Sequence, residues 1–361
     1  MTSEPEARVG PPPLRVRVLE SVLRIDLKFQ ETRDALARDW SRCVVDGPQR
    51  EGDLPFEVHG EELPLRESFG YGLASQLTLR AIGELGGQRL MLHAAGLADP
   101  AGRVVVLVGP SGTGKTTAAR TLGSAGWGYV TDETVAIDDD GRVTPYPKPL
   151  SLVDDPATPY SKTNHGPDVL GLGLAPPELT VASLVVLERD REGNVEPRLA
   201  DLPLLEAVLA LVPHTSYFAR MEAPLQRLCR LAAGVGVRNL AYSEVADTRQ
   251  LLESVLGLPV PAPDWEPLPL AAEVPPTPGT YAPADVHDVV RIGEEGLVLV
   301  GNTPVRLSPL GLTIWRRAAA GATLEDLLEA AISEHGDHPD AATVLEEAVE
   351  AMVTAGLLVR N

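Results

Sequence analysis

An eight-residue loop, Gly109-Pro-Ser-Gly-Thr-Gly-Lys115-Thr116, follows the apolar residues 104–108 and precedes a helical pattern. It matches the phosphate-binding loop (P-loop) pattern G-x-x-x-x-G-K-[ST] at every position. Glycines let backbone N–H groups surround a phosphate, and the helix N-terminus that follows favours an anion. A glycine-rich turn with a fortuitous Lys-Thr is disfavoured because a strand and a helix flank the loop. We therefore predict a nucleoside triphosphate site in an α/β domain.

The same pattern predicts which groups contact the nucleotide. Lys115 is expected to reach the β- and γ-phosphate oxygens of ATP, and the Thr116 hydroxyl is expected to bind Mg²⁺. The residues predicted to bind ATP are Gly109, Pro110, Ser111, Gly112, Thr113, Gly114, Lys115, Thr116 and Thr117.

Phosphoryl transfer also needs carboxylates that hold the metal ion and accept a proton from the attacking hydroxyl. Two places in the sequence could supply them. Asp132 and Glu133 follow a short apolar strand after the P-loop helix, whereas Glu188 ends the apolar run 184–187 as a Walker B acid would. Adjacent acids are also common on the surface of any acidic protein, so the pattern alone leaves both places open.

A family resemblance favours the first place. His93 before the strand, the P-loop, and a valine-led acidic pair after the helix together resemble the catalytic domain of HPr kinase/phosphorylase, whose core is similar to that of phosphoenolpyruvate carboxykinases. The resemblance is good over residues 90–155 and looser over the rest of the ATP domain. It implies that Asp132 is the general base and that Glu133 assists Mg²⁺. It also implies that His93 lies beside Asp132 and tunes its protonation. Lys115, from the P-loop pattern, is the third predicted catalytic residue.

The sequence departs from that family at several positions. Ala94 replaces the glycine after the histidine, Thr131 replaces alanine before the acidic pair, and the pair ends in glutamate rather than aspartate. The E-x-R-G-x-G signature, associated with the phosphorylase activity and the acceptor protein, is missing, which disfavours a role in sugar transport. In its place stand Lys148 and a polar loop with His165. Either residue could contact phosphate or the acceptor, or could be a solvated loop residue.

Hydrophobic periodicity predicts further elements around the site. Residues 14–29 alternate apolar and polar side chains as paired strands would. Other strands are predicted at residues 55–59, 104–108, 129–137 and 182–188. Helices are predicted at residues 31–43, 68–85, from 115 onward, 203–211, 223–233 and 247–256.

These elements predict an α/β fold class, with a P-loop kinase domain of the HPr kinase type over residues 89–257. Residues 1–88 are predicted to form an N-terminal α/β extension packed on that core. A proline-rich stretch over residues 258–283 marks the clearest predicted boundary, because proline removes helix donors and favours extended backbone. We expect this stretch to be a linker.

Residues 284–361 are predicted to form a small C-terminal α+β domain of winged-helix-like type. Its predicted strands are DVVRIG, GLVLVG, residues 304–307 and the final LLVR, and its predicted helices are residues 309–319, 323–334 and 341–355.

Residues 286–361 resemble the PqqD-like domains, or RiPP recognition elements, which bind leader peptides of ribosomally made natural products. The resemblance depends on the order of an apolar strand, a V-R-L-S-P turn and three amphipathic helices. It implies that an extended leader peptide adds as a strand to a sheet edge, against a helix. A DNA-binding winged helix is disfavoured because the helices are acid-rich and Arg316 with Arg317 is their only basic cluster. A dimerisation module is left open.

Composition indicates which partners and which cellular compartment to expect. The formal net charge of −20 disfavours nucleic acid and anionic membranes, which require concentrated Lys and Arg. The N-terminus lacks a signal-like apolar segment, and no stretch approaches eighteen apolar residues, so we expect a cytoplasmic protein. Cys43 and Cys229 are far apart without metal-site spacing, which predicts buried small hydrophobic residues rather than a zinc site or a disulfide.

Together these features predict a kinase that uses ATP and Mg²⁺ to phosphorylate a Ser or Thr hydroxyl of a precursor peptide held by the C-terminal domain. One alternative is an ATP-gated chaperone or scaffold that delivers the precursor to another modifying enzyme. A second is a small-molecule kinase whose tail is only structural. Other enzymes of RiPP maturation and a second copy of the chain are left open as partners.

Overall fold

The computed structural model describes residues 10–61, 63, 68–153, 162–270 and 277–361 of a mixed α/β chain. Parts of the predicted N-terminal extension, ATP domain and linker lie outside the described residues, namely 1–9, 62, 64–67, 154–161 and 271–276. The chain divides into two compact units. The P-loop unit comprises Met1–Ala200, His214–Ser216 and Arg238–Leu258. The C-terminal unit comprises Asp201–Pro213, Tyr217–Val237 and Pro259–Asn361.

The N-terminal part of the P-loop unit has its own small sheet. Its elements are β1 (Leu14–Val18), β2 (Ser21–Ile25), α1 (Gln30–Asp39), β3 (Leu54–Phe56) and α2 (Ser68–Leu85). β1 and β2 form the antiparallel pair that the alternating pattern predicts, and β3 lies parallel to β2. Apolar residues of β1, β2 and α2 share one buried core, which places α2 beside this sheet.

The centre of the P-loop unit holds the P-loop between a strand and a helix, as the sequence predicts. Its elements are β4 (Leu90–Leu92), β5 (Ala94–Ala98), β6 (Arg103–Val108), α3 (Lys115–Ser124), β7 (Gly128–Thr131), β8 (Val135–Ile137), β9 (Val143–Thr144), β10 (Leu150–Val153), β11 (Lys162–His165), β12 (Gly173–Leu174), β13 (Thr180–Arg189) and β14 (Arg198–Asp201). β10 and β11 form a separate antiparallel pair.

The following stretch alternates between the two units. Its elements are α4 (Leu204–Leu211), β15 (Thr215–Ser216), α5 (Pro224–Val235), β16 (Val237–Tyr242) and α6 (Arg249–Val255), with 3₁₀ turns at Val212–His214, Phe218–Arg220 and Val245–Thr248. The predicted helix at 247–256 therefore begins as a 3₁₀ turn and becomes α-helical at Arg249.

Among the described residues, one sheet has seven strands in the order β12-β7-β5-β6-β13-β16-β14. β6 and β13 are parallel, while β5 is antiparallel to β6 and to β7. A second, antiparallel sheet has the order β15-β4-β8-β9. The prediction of one continuous strand over residues 129–137 is wrong, because the chain leaves the first sheet after β7 and enters the second at β8.

The described residues of the last third of the chain form two sheets and three helices. Its elements are β17 (Trp265–Pro267), β18 (Tyr281–Pro283), β19 (Asp288–Ile292), β20 (Glu295–Val300), β21 (Thr303–Leu307), α7 (Pro309–Ala318), α8 (Leu324–His335), α9 (Ala341–Thr354) and β22 (Leu358–Arg360). The sheets have the orders β17-β19-β20-β21 and β18-β22. Ser308 caps α7, and Thr323 with Asp326 forms a capping box on α8, so local sequence determines where both helices begin.

The stretch predicted as a linker is partly built into these sheets. β17 pairs with β19, and β18 pairs with β22, so residues 265–267 and 281–283 have sheet partners rather than only extended polyproline geometry. Proline is tolerated there because β17 is the end strand of its sheet and needs fewer backbone donors.

Helices α4 and α5 belong to the C-terminal unit, although the sequence assigns residues 201–237 to the ATP domain. The buried Asp288 carboxylate on β19 accepts hydrogen bonds from the Gln226 backbone N–H at 3.0 Å and from its Nε2 at 2.8 Å. Gln226 lies in the first turn of α5, so Asp288 satisfies a helix N-terminal donor from a distant strand. No helix in the described ranges is long and apolar enough to cross a membrane.

Candidate active site

The P-loop owes its shape to two glycines with left-handed backbone. Gly112 has a φ of 85° and Gly114 a φ of 100°, a region that other residues rarely adopt. Gly114 is also the N-cap of α3, so the first N–H groups of the helix point out of its open end. Tyr242 on β16, a strand of the same sheet, supports the loop by donating to the Thr113 carbonyl at 2.5 Å. The result is a set of backbone donors suited to an anion.

The side chain of Lys115 folds back onto the first residues of the P-loop. Lys115 Nζ donates to the carbonyl oxygens of Gly109 at 2.5 Å and Pro110 at 3.1 Å, and the residue is buried. Burial lowers the pKa of Lys115, while the charges of Glu133 and Asp132 partly oppose this effect. The lysine is therefore a cation close to two carboxylates and to the helix N-terminus.

A polar cavity of about 570 Å³ surrounds this lysine. The P-loop lines it on one side, and residues of α2, β10 and β11 line it elsewhere. Its described lining contains more cations than acids: Lys115, Arg120, Lys148, Lys162 and Arg189 against Asp132 and Glu133. In a chain with a net charge of −20, this local excess of positive charge favours a polyanionic ligand.

The two sheets bring His93 and Glu133 together. The ribbon β4–β5 pairs antiparallel with the ribbon β7–β8, with Leu92 opposite Val135 and Gly96 opposite Thr131. His93 lies in the gap between β4 and β5, and the acidic pair lies in the gap between β7 and β8. Both gaps mark the point where the chain passes from one sheet to the other, so the side chains meet there.

The contacts of His93 are with Glu133 rather than with Asp132. His93 Nδ1 lies 3.0 Å from the Glu133 carbonyl oxygen and 3.7 Å from its Oε1. A carbonyl oxygen only accepts, so Nδ1 carries a hydrogen and Nε2 is the other nitrogen of the neutral ring. Burial, followed by the charge of Lys115, lowers the pKa of His93, which keeps the ring neutral near pH 7.

Asp132 is held by a buried cluster that includes Lys148. The Tyr129 hydroxyl and Lys148 Nζ lie 3.0 Å and 2.9 Å from the same oxygen, Asp132 Oδ1. The side chains of Asp132 and Lys148 are each only 3% exposed. Burial by itself would lower the pKa of Lys148, but the charges of Asp132 and Glu133 raise it above its usual value. Lys148 is therefore an ion-pair partner and not a solvated loop residue.

The residues present fit ATP with Mg²⁺. The P-loop supplies backbone donors and a cation, and Thr116 and Glu133 line the same cavity with oxygen atoms that Mg²⁺ accepts as ligands. No group of three or more His, Cys, Asp or Glu that could hold a metal occurs in the part of the chain that the structure describes. Mg²⁺ commonly needs only one or two carboxylates besides phosphate and water, so this arrangement is suitable.

Not every predicted residue lines the cavity. Ser111, Gly112, Gly114, Thr116 and Thr117 do so together with Lys115, His93, Asp132 and Glu133. Gly109, Pro110 and Thr113 instead shape the loop from within. Glu188 is exposed on β13 and accepts a hydrogen bond from Asn239 at 2.6 Å. His165 lies on β11, opposite Leu150, and does not line the cavity.

Sequence reasoning missed several lining residues. Tyr71 on α2 and Lys162 on β11 contact each other, with Lys162 Nζ 5.2 Å from the ring centre. Arg120 and Arg189 line the same cavity. Arg120 could have been found, since it lies on the helix that follows the P-loop. The others had no local signal, because their positions depend on how distant strands pair.

The C-terminal unit holds a second cavity of about 500 Å³ with an apolar lining. Helices α4 and α5 and the start of the proline-rich stretch supply most of its wall, including Leu204, Leu205, Ala233, Pro261 and Ile292. The acids in its described lining are Asp201, Glu206, Asp264 and Glu295. Arg306 pairs with two of these acids, Glu206 and Glu295, and Arg291 pairs with Asp264.

The comparisons with known proteins yield no relative: no family model matches the chain, and none of the curated proteins matches it.

Proposed function

We propose that this chain is a cytoplasmic kinase that uses ATP and Mg²⁺ to phosphorylate a Ser or Thr hydroxyl of a ribosomally made precursor peptide. The observation that carries the proposal is the convergence of Asp132, Glu133 and His93 on the cavity that the P-loop lines. A phosphate loop, a candidate base and a candidate metal ligand in one cavity are the groups that phosphoryl transfer to a hydroxyl requires.

Each residue has a defined part in the proposed reaction. The P-loop backbone and Lys115 bind the β- and γ-phosphates of ATP. Asp132 accepts the proton of the acceptor hydroxyl while the oxygen of that hydroxyl bonds to the γ-phosphorus. The bond between the γ-phosphorus and the β–γ bridging oxygen breaks, and its electron pair leaves with ADP. Neutral His93 keeps Glu133 in place through the Glu133 backbone carbonyl.

Thr116 and Glu133 are the residues that would hold Mg²⁺, which neutralises charge on the phosphates when bound. Lys148 partly neutralises the negative charge of Glu133, since Lys148 Nζ lies 3.8 Å from Glu133 Oε2. The Glu133 side chain is 41% exposed, in contrast to its neighbour Asp132. Two adjacent acids thus have different environments, which suits one buried base and one accessible metal ligand.

The peptide part of the proposal depends on the C-terminal unit. β21 is the end strand of its described four-stranded sheet, and it leads directly into the capped helix α7. An extended leader peptide can add to such an edge through backbone hydrogen bonds, with side-chain pockets providing specificity. This reading supports a peptide acceptor over a small-molecule acceptor.

The direct test is to incubate the protein with ATP, Mg²⁺ and the short precursor peptide encoded beside its gene, and to weigh the peptide by mass spectrometry. We expect the peptide to gain one phosphate on a Ser or Thr. Consumption of ATP without phosphate on the peptide would contradict the proposed acceptor.

Asp132→Asn separates the kinase from the chaperone or scaffold, the alternative that the sequence leaves open. Under the kinase proposal it should lower the transfer rate by about 10²-fold or more, because a general base contributes that much, while ATP binding persists. Unchanged delivery of the precursor with Asp132→Asn would favour the scaffold.

A further inference from the structure

Only one oxygen of the Asp132 carboxylate takes part in the buried cluster. Oδ1 lies 3.0 Å from the Tyr129 hydroxyl and 2.9 Å from Lys148 Nζ. Oδ2 receives neither of these contacts. Two donors on a single oxygen hold the carboxylate in place and leave Oδ2 free of both, and Asp132 itself lines the cavity.

The two donors are themselves held in place. Lys148 Nζ also donates to the Pro149 carbonyl at 3.0 Å. The Tyr129 hydroxyl lies 3.0 Å from the Lys148 carbonyl oxygen as well as from Asp132, so its single hydrogen is shared between two acceptors. Burial, followed by the Asp132 charge, raises the pKa of Tyr129 well above its usual value, and the hydroxyl remains a donor. The side chains of Tyr129, Asp132 and Lys148 are all buried.

The backbone around Lys148 is restricted by its neighbours in sequence. Pro147 and Pro149 flank it, and a proline after a residue disfavours helical backbone at that residue. Tyr146 holds the segment in place, because its N–H donates to the Val130 carbonyl at 3.1 Å and its hydroxyl lies 2.7 Å from Thr78 Oγ1. The segment therefore presents the Lys148 side chain to β7 in one orientation.

From these contacts we infer that Lys148 is a positioning residue for phosphoryl transfer: with Tyr129 it holds Asp132 so that Oδ2 receives the acceptor proton. The inference rests on the proposed kinase function. In the step, the acceptor O–H bond breaks and its proton moves to Oδ2, while the acceptor oxygen bonds to the γ-phosphorus. The bond from the γ-phosphorus to the bridging oxygen breaks, and ADP leaves with that electron pair.

The competing role for Lys148 is direct contact with a phosphate. Its Nζ is engaged by Asp132 and by the Pro149 carbonyl, and its side chain is 3% exposed. Lys115 already supplies a cation within the P-loop. A positioning role and a phosphate contact differ in what they predict: the first changes the rate of transfer, while the second also changes nucleotide affinity.

A double-mutant cycle tests the inference, with the peptide encoded beside the gene as acceptor and a fluorescent ATP analogue with Mg²⁺ as the binding probe. We expect Lys148→Met to lower kcat by about 10²-fold, as loss of an oriented base does, with nucleotide affinity within about threefold of wild type. In the Asp132→Asn background the same change should cause no further loss, because the group that it positions is gone. Lys28→Met, at an exposed position outside the cavity, is the matched control.

Two results would overturn the inference. One is a full additive loss when Lys148→Met is combined with Asp132→Asn, and the other is a loss of nucleotide affinity as large as the loss of kcat. If wild type itself transfers no phosphate, the proposed function fails, and the positioning role fails with it. Lys148→Met leaves a buried carboxylate unpaired and can impair folding.

Tyr129→Phe is the second variant, because it removes one donor to Asp132 without removing a charge. A kcat lower by about tenfold at unchanged nucleotide affinity supports the inference, and an unchanged kcat contradicts it.

Discussion

The two cavities are of similar size but opposite chemistry. The cavity of the P-loop unit, about 570 Å³, is lined by five cations, two acids and the open end of a helix. The apolar cavity within the C-terminal unit, about 500 Å³, is lined largely by Leu, Pro, Ala, Val and Ile, with acids among them. Volume therefore says little about what each binds. The first suits phosphates through fixed dipoles and charges, whereas the second suits an apolar group whose burial releases water.

The strongest test of this contrast is Lys115→Met. Charge-assisted hydrogen bonds contribute about 1.5–3 kcal/mol each, so loss of the lysine that is proposed to bind the β- and γ-phosphates should weaken ATP binding by about 10²-fold or more. Binding of the precursor peptide should not change, because it is proposed to depend on the other unit. Titration of a fluorescent ATP analogue and of a labelled peptide measures both quantities. A parallel loss of both affinities would contradict the assignment of ATP and peptide to different units.

A second test concerns the contact between α5 and β19 within the C-terminal unit. Asp288→Ala removes the acceptor of both Gln226 hydrogen bonds and should lower the free energy of unfolding by about 1–3 kcal/mol. Asp285→Ala is the matched control, since that residue is exposed three positions earlier. Urea unfolding followed by circular dichroism gives the two values. Equal stability of both variants would mean that α5 does not depend on β19 for its N-terminal cap.

This dependence bears on deletion experiments. Removing residues 286–361 would take away Asp288 and the strands with which α4 and α5 form one compact unit. Such a truncation would expose buried residues of α5, including Leu225, Leu228 and Cys229. A point substitution in the C-terminal unit is therefore a cleaner test of peptide binding than the loss of the whole segment.

A third test fills the apolar cavity. Ala233→Trp places a large side chain at its wall on α5, and should weaken binding of a neutral apolar dye such as Nile red by about tenfold, while ATP affinity is unchanged. Arg230→Trp, on an exposed position of the same helix, is the control for the added aromatic group. Equal dye binding by both variants would show that this cavity is not a site for apolar ligands.

The smallest expected effect compares the two cysteines. Burial raises the pKa of Cys43 and of Cys229 to about 12, so both thiols should resist alkylation at pH 8 until the surrounding structure opens. Cys43 belongs to the P-loop unit and Cys229 to the C-terminal unit. At ATP concentrations about ten times the Kd, alkylation of Cys43 should slow by up to about tenfold and that of Cys229 should not. Mass spectrometry of labelled peptides measures both rates, and equal protection would mean that the units open together.

The helices and most strands could be predicted because their signals are local. Periodicity alone predicts α2 and α9 to within a residue of their observed ends, and Ser308 and Thr323 mark the starts of α7 and α8. The short strands β9, β12 and β15 carry no such signal. Each has only two residues, and it exists because a partner strand is available.

The different environments of Asp132 and Glu133 could not be predicted from the sequence. Two neighbouring acids after a strand were a visible pattern, but nothing local distinguishes a buried Asp132 from an accessible Glu133. That difference arises because the chain changes sheets between β7 and β8, and because Lys148 lies closer to Asp132, at 2.9 Å, than to Glu133, at 3.8 Å, while the Tyr129 hydroxyl donates to Asp132. His93 likewise meets Glu133 through the pairing of two ribbons far apart in sequence.

The P-loop could be read directly from the amino-acid order, because strand, glycine-rich turn, lysine and helix are contiguous and each follows from short-range backbone preferences. The sequence also determined the order and nature of the elements around it. Three features emerge from the folded chain alone: Lys148 pairs with Asp132, α4 and α5 join the C-terminal strands, and the P-loop cavity and the apolar cavity differ in polarity. These features depend on contacts between residues distant in the chain, whose geometry follows from how whole sheets pair and pack.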